Sequence, residues 1–232
     1  MTLSRTDHRK SFSYQPEGSK DNSLMCGRFV LLTDLSGIVT SFDIGDIACE
    51  YRRSNNIYPT QQIAAVIRDQ VNRLVEFRWG LIPSWAKDPA IGNRLINARA
   101  ETVADKPSFR HAFRKRRCLI VADGFYEWQK TDGPAKKPWF IHLRSGQPCG
   151  FAGLYETWTS PEGRPVHSCT IITTKANQML AAIHDRMPVI VPKAAQAVWL
   201  DPENGCREDL LSLLIPYPAE DMACLPQYPV PF

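Results

Sequence analysis

The sequence lacks the features that define several large classes of protein. No apolar run approaches the ~18 residues that a membrane-spanning helix needs. The first 24 residues contain no apolar core of the kind found in secretory signals. Charge is nearly balanced, since 28 basic and 24 acidic residues leave a net charge of only +4. We therefore expect the 232-residue chain to be a globular, cytoplasmic protein without a membrane partner.

The cysteine content also excludes several kinds of site. Seven cysteines are present, and the closest two, Cys206 and Cys224, are 18 residues apart. Zinc ligands usually occur in pairs about two to four residues apart, and disulfide scaffolds are denser in cysteine. Sequence motifs for nucleotide hydrolysis, nicotinamide cofactors, zinc proteolysis and serine hydrolysis are absent. We predict free thiols, no metal and no cofactor.

Short strand patterns dominate what is present. Strands are predicted at 26–32, 63–68, 74–79, 118–121, 139–143, 150–155 and 168–173, and helices at 35–42, 176–183, 193–199 and 207–214. Many short strands with few helices favour an α+β or barrel-like β fold. Residues 1–24 are polar and aperiodic, and we interpret them as a disordered leader or a misassigned start, followed by one domain over 25–232. No feature predicts an oligomer, and we expect a monomer.

Basic residues are concentrated in one part of the chain. Residues 94–117 contain eight Lys or Arg side chains and two acidic ones, whereas residues 201–224 are predominantly acidic. A one-sided basic stretch is typical of a protein that binds a polyanion. Trp79, Trp85, Phe109 and Phe113 are interspersed with it, and such rings stack on the bases of single strands. The alternative is a solvated basic loop.

Cys26 directly follows Met25, which gives it a distinctive chemical possibility. If Met25 is the true start, its removal leaves Cys26 as an N-terminal aminothiol. The α-amine and the thiol have pKa values near ~8 and ~8.5, so both are partly nucleophilic at neutral pH. The amine can condense with an aldehyde, and the thiol can then close a five-membered thiazolidine. The alternative is a buried strand cysteine.

Three further segments combine polar side chains with apolar surroundings. Asn97 and Arg99 lie in a small, apolar stretch, and His184 and Arg186 flank Asp185 before a predicted strand. Glu127 stands between aromatic residues, which would desolvate its carboxyl and raise its pKa into the range useful for acid–base catalysis. A structural Glu paired with an Arg, and a satisfied core or surface histidine, are the alternatives.

Taken together, five blocks resemble the SRAP family of abasic-site-processing proteins. They are MCGRF at 25–29, WGLIPSWAKDP at 79–89, INARAET at 96–102, the segment 109–128 ending in DGFYEW, and IHDRMPVI at 183–190. The resemblance implies a twisted, barrel-like β core with peripheral helices in one α+β domain. It implies covalent capture of abasic sites in single-stranded DNA, whose ring-opened sugar exposes an aldehyde.

The resemblance also assigns roles to individual residues. Cys26 matches the nucleophile that forms the thiazolidine, and Asn97 the asparagine that positions aminothiol and sugar. Glu127 matches the glutamate that moves protons, and His184 the histidine of Schiff-base chemistry and crosslink reversal. The DNA contacts implied are Arg28, Asn56, Trp85, Arg99 and Arg186.

One departure from the family pattern concerns the N-terminus. In the family the cysteine is residue two, whereas here 24 residues precede Met25, so Cys26 carries an amide nitrogen that cannot form a Schiff base. Three explanations remain open: a start assigned too far upstream, which we favour, proteolytic removal of the leader, and a lost activity. Removal of the leader would fit a cysteine autopeptidase that exposes Cys26.

Two further functions compete with covalent capture. One is non-covalent binding of single strands through the basic stretch and its aromatics, with Cys26 as a core residue. The other is a cysteine hydrolase that acts on peptides.

Overall fold

The computed structural model describes residues 26–131, 133 and 135–226, and the predicted leader 1–24 lies outside these ranges. The strands are β1 Phe29–Leu31, β2 Ile44–Ile47, β3 Ser54–Ile57, β4 Gln62–Arg68, β5 Asn72–Trp79, β6 Asn97–Arg99, β7 Arg117–Ala122, β8 Gly124–Gln129, β9 Lys137–Leu143, β10 Cys149–Thr159, β11 Pro165–Lys175, β12 Arg186–Pro188, β13 Ile190–Val191 and β14 Met222–Pro226. The helices are α1 Leu35–Phe42, α2 Arg110–Lys115, α3 Lys193–Leu200 and α4 Arg207–Ser212, with 3₁₀ turns at Pro89–Arg94 and Ala219–Asp221.

Five strands close into a barrel. They follow the order β5, β4, β7, β10 and β11, and parallel pairing of Cys169 in β11 with Trp79 in β5 completes the ring. All six residues of β7 are buried, which explains why that strand reads as a continuous apolar run rather than an alternating one. The barrel-like core expected from the sequence is therefore present.

A second, five-stranded sheet packs against the barrel in the order β14, β9, β8, β1, β3. The residue between β7 and β8 is Asp123, whose carboxylate accepts the backbone N–H of Thr33 at 2.8 Å and so fixes the end of β1. Phe29 of β1 lies 5.3 Å from Trp79 and 6.0 Å from Phe151, measured between ring centroids. These aromatic contacts join the second sheet to the barrel in one hydrophobic core.

Local sequence signals account for several elements. The helix predicted at 35–42 is α1, and Asp34 accepts the backbone N–H of Gly37 at 2.8 Å as its N-cap. The strands predicted at 63–68 and 74–79 form the antiparallel hairpin of β4 and β5. The helices predicted at 193–199 and 207–214 are present as α3 and as the shorter α4.

The helix predicted at 176–183 is wrong. Asn177 Oδ1 accepts the backbone N–H of Leu180 at 3.0 Å, so the segment forms side-chain-capped turns instead of continuing as a helix. We call residues 176–185 the His184 loop. Conversely, α2, the strand β8 and the short strands β2, β3, β6 and β12 to β14 were not predicted. No helix in the described part of the chain has the length and apolar character needed to cross a membrane.

Candidate active site at Cys26 and Glu127

Pairing of β1 with β8 brings Cys26 to Glu127. Phe29 stands opposite Phe125, and the backbone N–H of Tyr126 donates to the carbonyl of Arg28 at 2.9 Å. This antiparallel register places the residues just before β1 beside Glu127. The backbone nitrogen of Cys26 donates to Glu127 Oε1 at 2.6 Å. A nucleophile and a carboxyl separated by 101 positions in sequence are thereby in direct contact.

Cys26 is buried and conformationally unusual. Its side chain is 1% exposed, and its φ of 40° lies in the left-handed region, which is uncommon for a residue other than glycine. Burial, the nearby Glu127 carboxyl and the Cys149 thiol together raise the pKa of the Cys26 thiol well above its usual value. The thiol is therefore neutral at physiological pH, and its nucleophilic form requires a base close by.

Glu127 has the properties of such a base. It is 2% exposed, and burial raises the pKa of its carboxyl to about 8. Hydrogen bonds from the backbone N–H groups of Cys26 and Trp128 and the charge of Lys136 oppose this rise in pKa, while the charge of Asp185 adds to it. No arginine or lysine within the described ranges forms an ion pair with Glu127. Its proton affinity is thus set near neutrality, where acid–base catalysis is most effective.

The source of this burial differs from the one expected. The flanking Tyr126 and Trp128 pack with Val30 and Phe140 in a separate cluster. Side chains alternate between the faces of a strand, so these two aromatics lie on the face opposite to Glu127. The pKa of Glu127 is raised as predicted, but its two aromatic neighbours in sequence are not the residues that bury its carboxyl.

His184 lies at the end of the His184 loop, where Nδ1 of its ring contacts two neighbouring residues. Its Nδ1 accepts the backbone N–H of Arg186 at 3.1 Å and lies 3.1 Å from Asp185 Oδ1. The backbone N–H favours an unprotonated Nδ1, whereas the Asp185 carboxylate favours a protonated one, so these two contacts favour opposite protonation states of Nδ1. The charge of Asp185 raises the pKa of Glu127, so this end of the loop lies within electrostatic range of the buried carboxyl.

Strand β11 brings the remaining motifs together. It pairs with β6, where Asn97 stands opposite Ile171, and with β12, where Arg186 stands opposite Lys175. The half-buried Asn97 and the exposed Arg99 therefore lie on one flank of β11, and Arg186 and His184 on the other.

Arg186 is not an open phosphate-binding side chain. It is 8% exposed, and its guanidinium donates to both carboxylate oxygens of Glu101 at 2.5 and 3.0 Å and to the carbonyl of Thr173 at 2.6 Å. The pair lowers the pKa of the Glu101 carboxyl. The geometry favours a structural role for Arg186 over the DNA contact predicted for it. Glu101 was overlooked as a partner because 85 positions separate the two residues.

The other predicted DNA contacts differ in exposure and in their neighbours. Arg28 is half-buried, with its guanidinium 5.3 Å from the centroid of the Trp128 ring. Trp85 is 57% exposed, and its loop is anchored where Trp158 Nε1 donates to the carbonyl of Ala86 at 2.7 Å. Asn56 lies in β3, and no described hydrogen bond or ion pair joins it or Trp85 to Cys26 or Glu127.

The site contains no recognisable metal-binding cluster. Among the described residues, no group of three or more His, Cys, Asp or Glu side chains is arranged to hold an ion. The groups that this arrangement offers for nucleophilic and acid–base chemistry are a thiol, a buried carboxyl and an imidazole.

Comparisons with known proteins agree with this architecture. A family model described as SOS response associated peptidase (SRAP) matches residues 25–230. The abasic site processing protein YoqW of Bacillus subtilis is 50% identical over 201 residues, which cover 85% of this chain and 90% of that protein. The abasic site processing protein HMCES of Rattus norvegicus is 33% identical over 193 residues, 70% of this chain and 54% of that one.

Solved structures show the same fold. A crystal structure of a protein from Bordetella bronchiseptica superposes with a TM-score of 0.75 at 26% identity, over 87% of this chain and 99% of that one. A second, from Bacteroides thetaiotaomicron, has a TM-score of 0.69 at 29% identity and covers 73% of this chain and 75% of the other.

Proposed function

The chain belongs to the SRAP family, and from this premise we propose that it processes abasic sites in single-stranded DNA by forming a covalent thiazolidine through Cys26. The observation that carries the proposal is the 2.6 Å contact between the Cys26 nitrogen and the buried carboxyl of Glu127. This contact places a carboxyl that can exchange protons beside the nitrogen that attacks the aldehyde.

The proposed reaction has two bond-forming steps. The α-amine of Cys26 adds to the aldehyde carbon of the ring-opened abasic sugar, and loss of the oxygen as water leaves an imine. Cys26 Sγ then adds to the imine carbon and closes the five-membered ring, so the net reaction releases one water. Glu127 takes a proton from the attacking group and returns one to the leaving oxygen. Because burial keeps the Cys26 thiol protonated, this second step also needs a base.

The reaction requires a free α-amine on Cys26. An amide nitrogen shares its lone pair with the neighbouring carbonyl and does not add to an aldehyde. The proposal therefore includes an active form that begins at Cys26. The remaining groups have supporting roles: His184 exchanges protons at Nε2 during imine formation and reversal, Asn97 orients the sugar, and Arg28, Asn56, Trp85 and Arg99 contact the strand.

The test is the intact mass of the purified protein before and after incubation with a single-stranded oligonucleotide that contains one abasic site. We expect a starting mass that begins at Cys26 and an adduct equal to protein plus DNA minus one water. The Cys26→Ala variant and an oligonucleotide without the lesion are the controls, and both should give no adduct. A chain that retains residues 1–25 and forms no adduct contradicts the proposal and leaves non-covalent binding as the function.

A second candidate activity is self-cleavage between residues 25 and 26, which the backbone at Cys26 favours. A φ of 40° strains this residue, and cleavage would relieve the strain. Cys26 Sγ would attack the carbonyl carbon of residue 25, the nitrogen would leave with a proton from Glu127, and water would hydrolyse the thioester. The same mass measurement tests it, since Cys26→Ala should then retain residues 1–25.

A further inference from the structure

One side chain connects the strand that carries Glu127 to the loop that carries His184. Gln129, in β8, donates from Nε2 to the carbonyl of Ala182 in the His184 loop at 2.8 Å. Its Oε1 accepts the indole N–H of Trp139, in β9, at 3.0 Å. The amide of Gln129 therefore bridges the second sheet and the loop.

The chemistry of the two partners fixes the orientation of this amide. An indole N–H can only donate a hydrogen bond and a backbone carbonyl can only accept one. Rotating the Gln129 amide by 180° would place its oxygen against the Ala182 carbonyl and its NH₂ group against the Trp139 N–H. Both contacts would then be repulsive, so Trp139 keeps the NH₂ group directed at the loop.

The position of Gln129 makes this bridge relevant to the site. Residues two apart on a strand point to the same face, so Gln129 follows Glu127 along that face by about 7 Å. Ala182 precedes His184 by two residues. The bridge therefore restrains the loop two residues before His184, whose own backbone N–H donates to the carbonyl of Leu180 at 2.9 Å.

The ends of the loop are held independently. Asn177 Nδ2 donates to the carbonyl of Tyr217 at 2.8 Å, and Leu180 is fully buried. At the other end, Arg186 pairs with Glu101. Between these anchors Ala182 is exposed, and the hydrogen bond from Gln129 is what ties this stretch to β8.

We propose that Gln129 is a positioning residue, which holds His184 at a productive distance from Glu127 for imine formation; the proposal rests on the function proposed above. A single exposed hydrogen bond contributes little to global stability. A displacement of about 1 Å between reacting groups, however, lowers rates by up to about 10²-fold.

The test compares Gln129→Met with Gln178→Met in the full chain as purified. Gln178 is an exposed residue of the same loop, so it offers the same substitution without the bridge. Single-turnover crosslinking is followed at increasing concentrations of abasic oligonucleotide. We expect Gln129→Met to lower the limiting rate by about 10-fold, with the half-saturating DNA concentration and the melting temperature unchanged. Gln178→Met should match the wild type.

Two further measurements make the proposal falsifiable. Trp139→Phe removes the donor that orients the amide, and we expect an intermediate fall in the limiting rate. Hydrogen exchange of the segment 180–186 should accelerate in Gln129→Met and not in Gln178→Met. A wild-type limiting rate and unchanged exchange in Gln129→Met would overturn the proposal. If the wild type forms no adduct, the proposed function fails, and the exchange result alone decides whether Gln129 holds the loop.

Discussion

Two glutamates of the site have opposite environments. Glu127 is buried and forms no ion pair among the described residues, and its pKa rises to about 8 although the charge of Lys136 opposes the rise. Glu101 follows β6 with its side chain 42% exposed, and its pairing with Arg186 lowers its pKa. The same carboxyl group is therefore a proton carrier in one place and a permanent anion in the other.

The difference shows which surroundings suit a carboxyl that exchanges protons and which suit a carboxyl that stabilises the fold. A carboxyl that must take up and release protons near neutrality needs desolvation without a compensating charge. A carboxyl that pairs with a buried arginine must instead stay ionised, because an unpaired guanidinium in the interior is destabilising. Substitution by the neutral isostere glutamine should therefore mainly lower the crosslinking rate at Glu127 and mainly lower the stability at Glu101.

The largest effect is expected for Glu127→Gln on the rate of crosslinking. Loss of a general acid–base catalyst costs about 10²–10⁴-fold, and we expect this fall in the single-turnover rate of a chain expressed to begin at Cys26. The fold should be retained, since glutamine keeps an acceptor for the Cys26 N–H. Denaturing gels over time measure the rate, and Glu101→Gln is the matched control. Equal rates for Glu127→Gln and wild type would remove Glu127 from the mechanism.

The pH dependence of stability should distinguish the same two residues. The folded pKa of Glu127 lies above its unfolded value near ~4.3, so the folded state binds the extra proton and stability falls as pH rises from about 5 to about 8. The slope approaches about 1.4 kcal/mol per pH unit at most. Urea unfolding of the full chain at several pH values measures it, and Glu127→Gln should abolish it. In a chain that begins at Cys26, the adjacent ammonium should lower the pKa of Glu127 and flatten the slope.

The smallest effect is expected for Glu101→Gln, and it concerns stability. Because the folded pKa of Glu101 is lowered, its contribution is present above pH ~4.3 and is lost as pH falls through the folded value. Glutamine still accepts one hydrogen bond and water screens the exposed half of the pair, so we expect a loss of about 1–2 kcal/mol at pH 7. This corresponds to a fall in Tm of about 3–6 °C. If the variant had the Tm of the wild type, the negative charge of Glu101 beside Arg186 would make no contribution to stability.

Much of the secondary structure could be predicted because its causes are local. Asp34 begins α1 through a hydrogen bond to a residue three positions away, and β4 and β5 are joined by a short turn. The helix predicted at 176–183 is wrong for an equally local reason, since Asn177 caps a turn there. The spacing of apolar residues does not reveal such a cap. The short strands β6 and β12 could not be recognised, because what makes them strands is their pairing with β11.

The sequence by itself determined the α+β class, the barrel-like core and the motifs that identify the family. Each depends on residue order and on periodicity within short windows. Only the tertiary structure decided which side chains meet: Cys26 with Glu127, Glu101 with Arg186, and Gln129 with Ala182. The register of β1 on β8 and the closure of the barrel through β11 fix these contacts. The pKa of a carboxyl follows from its burial and its charged neighbours, and both exist only once these strands have packed.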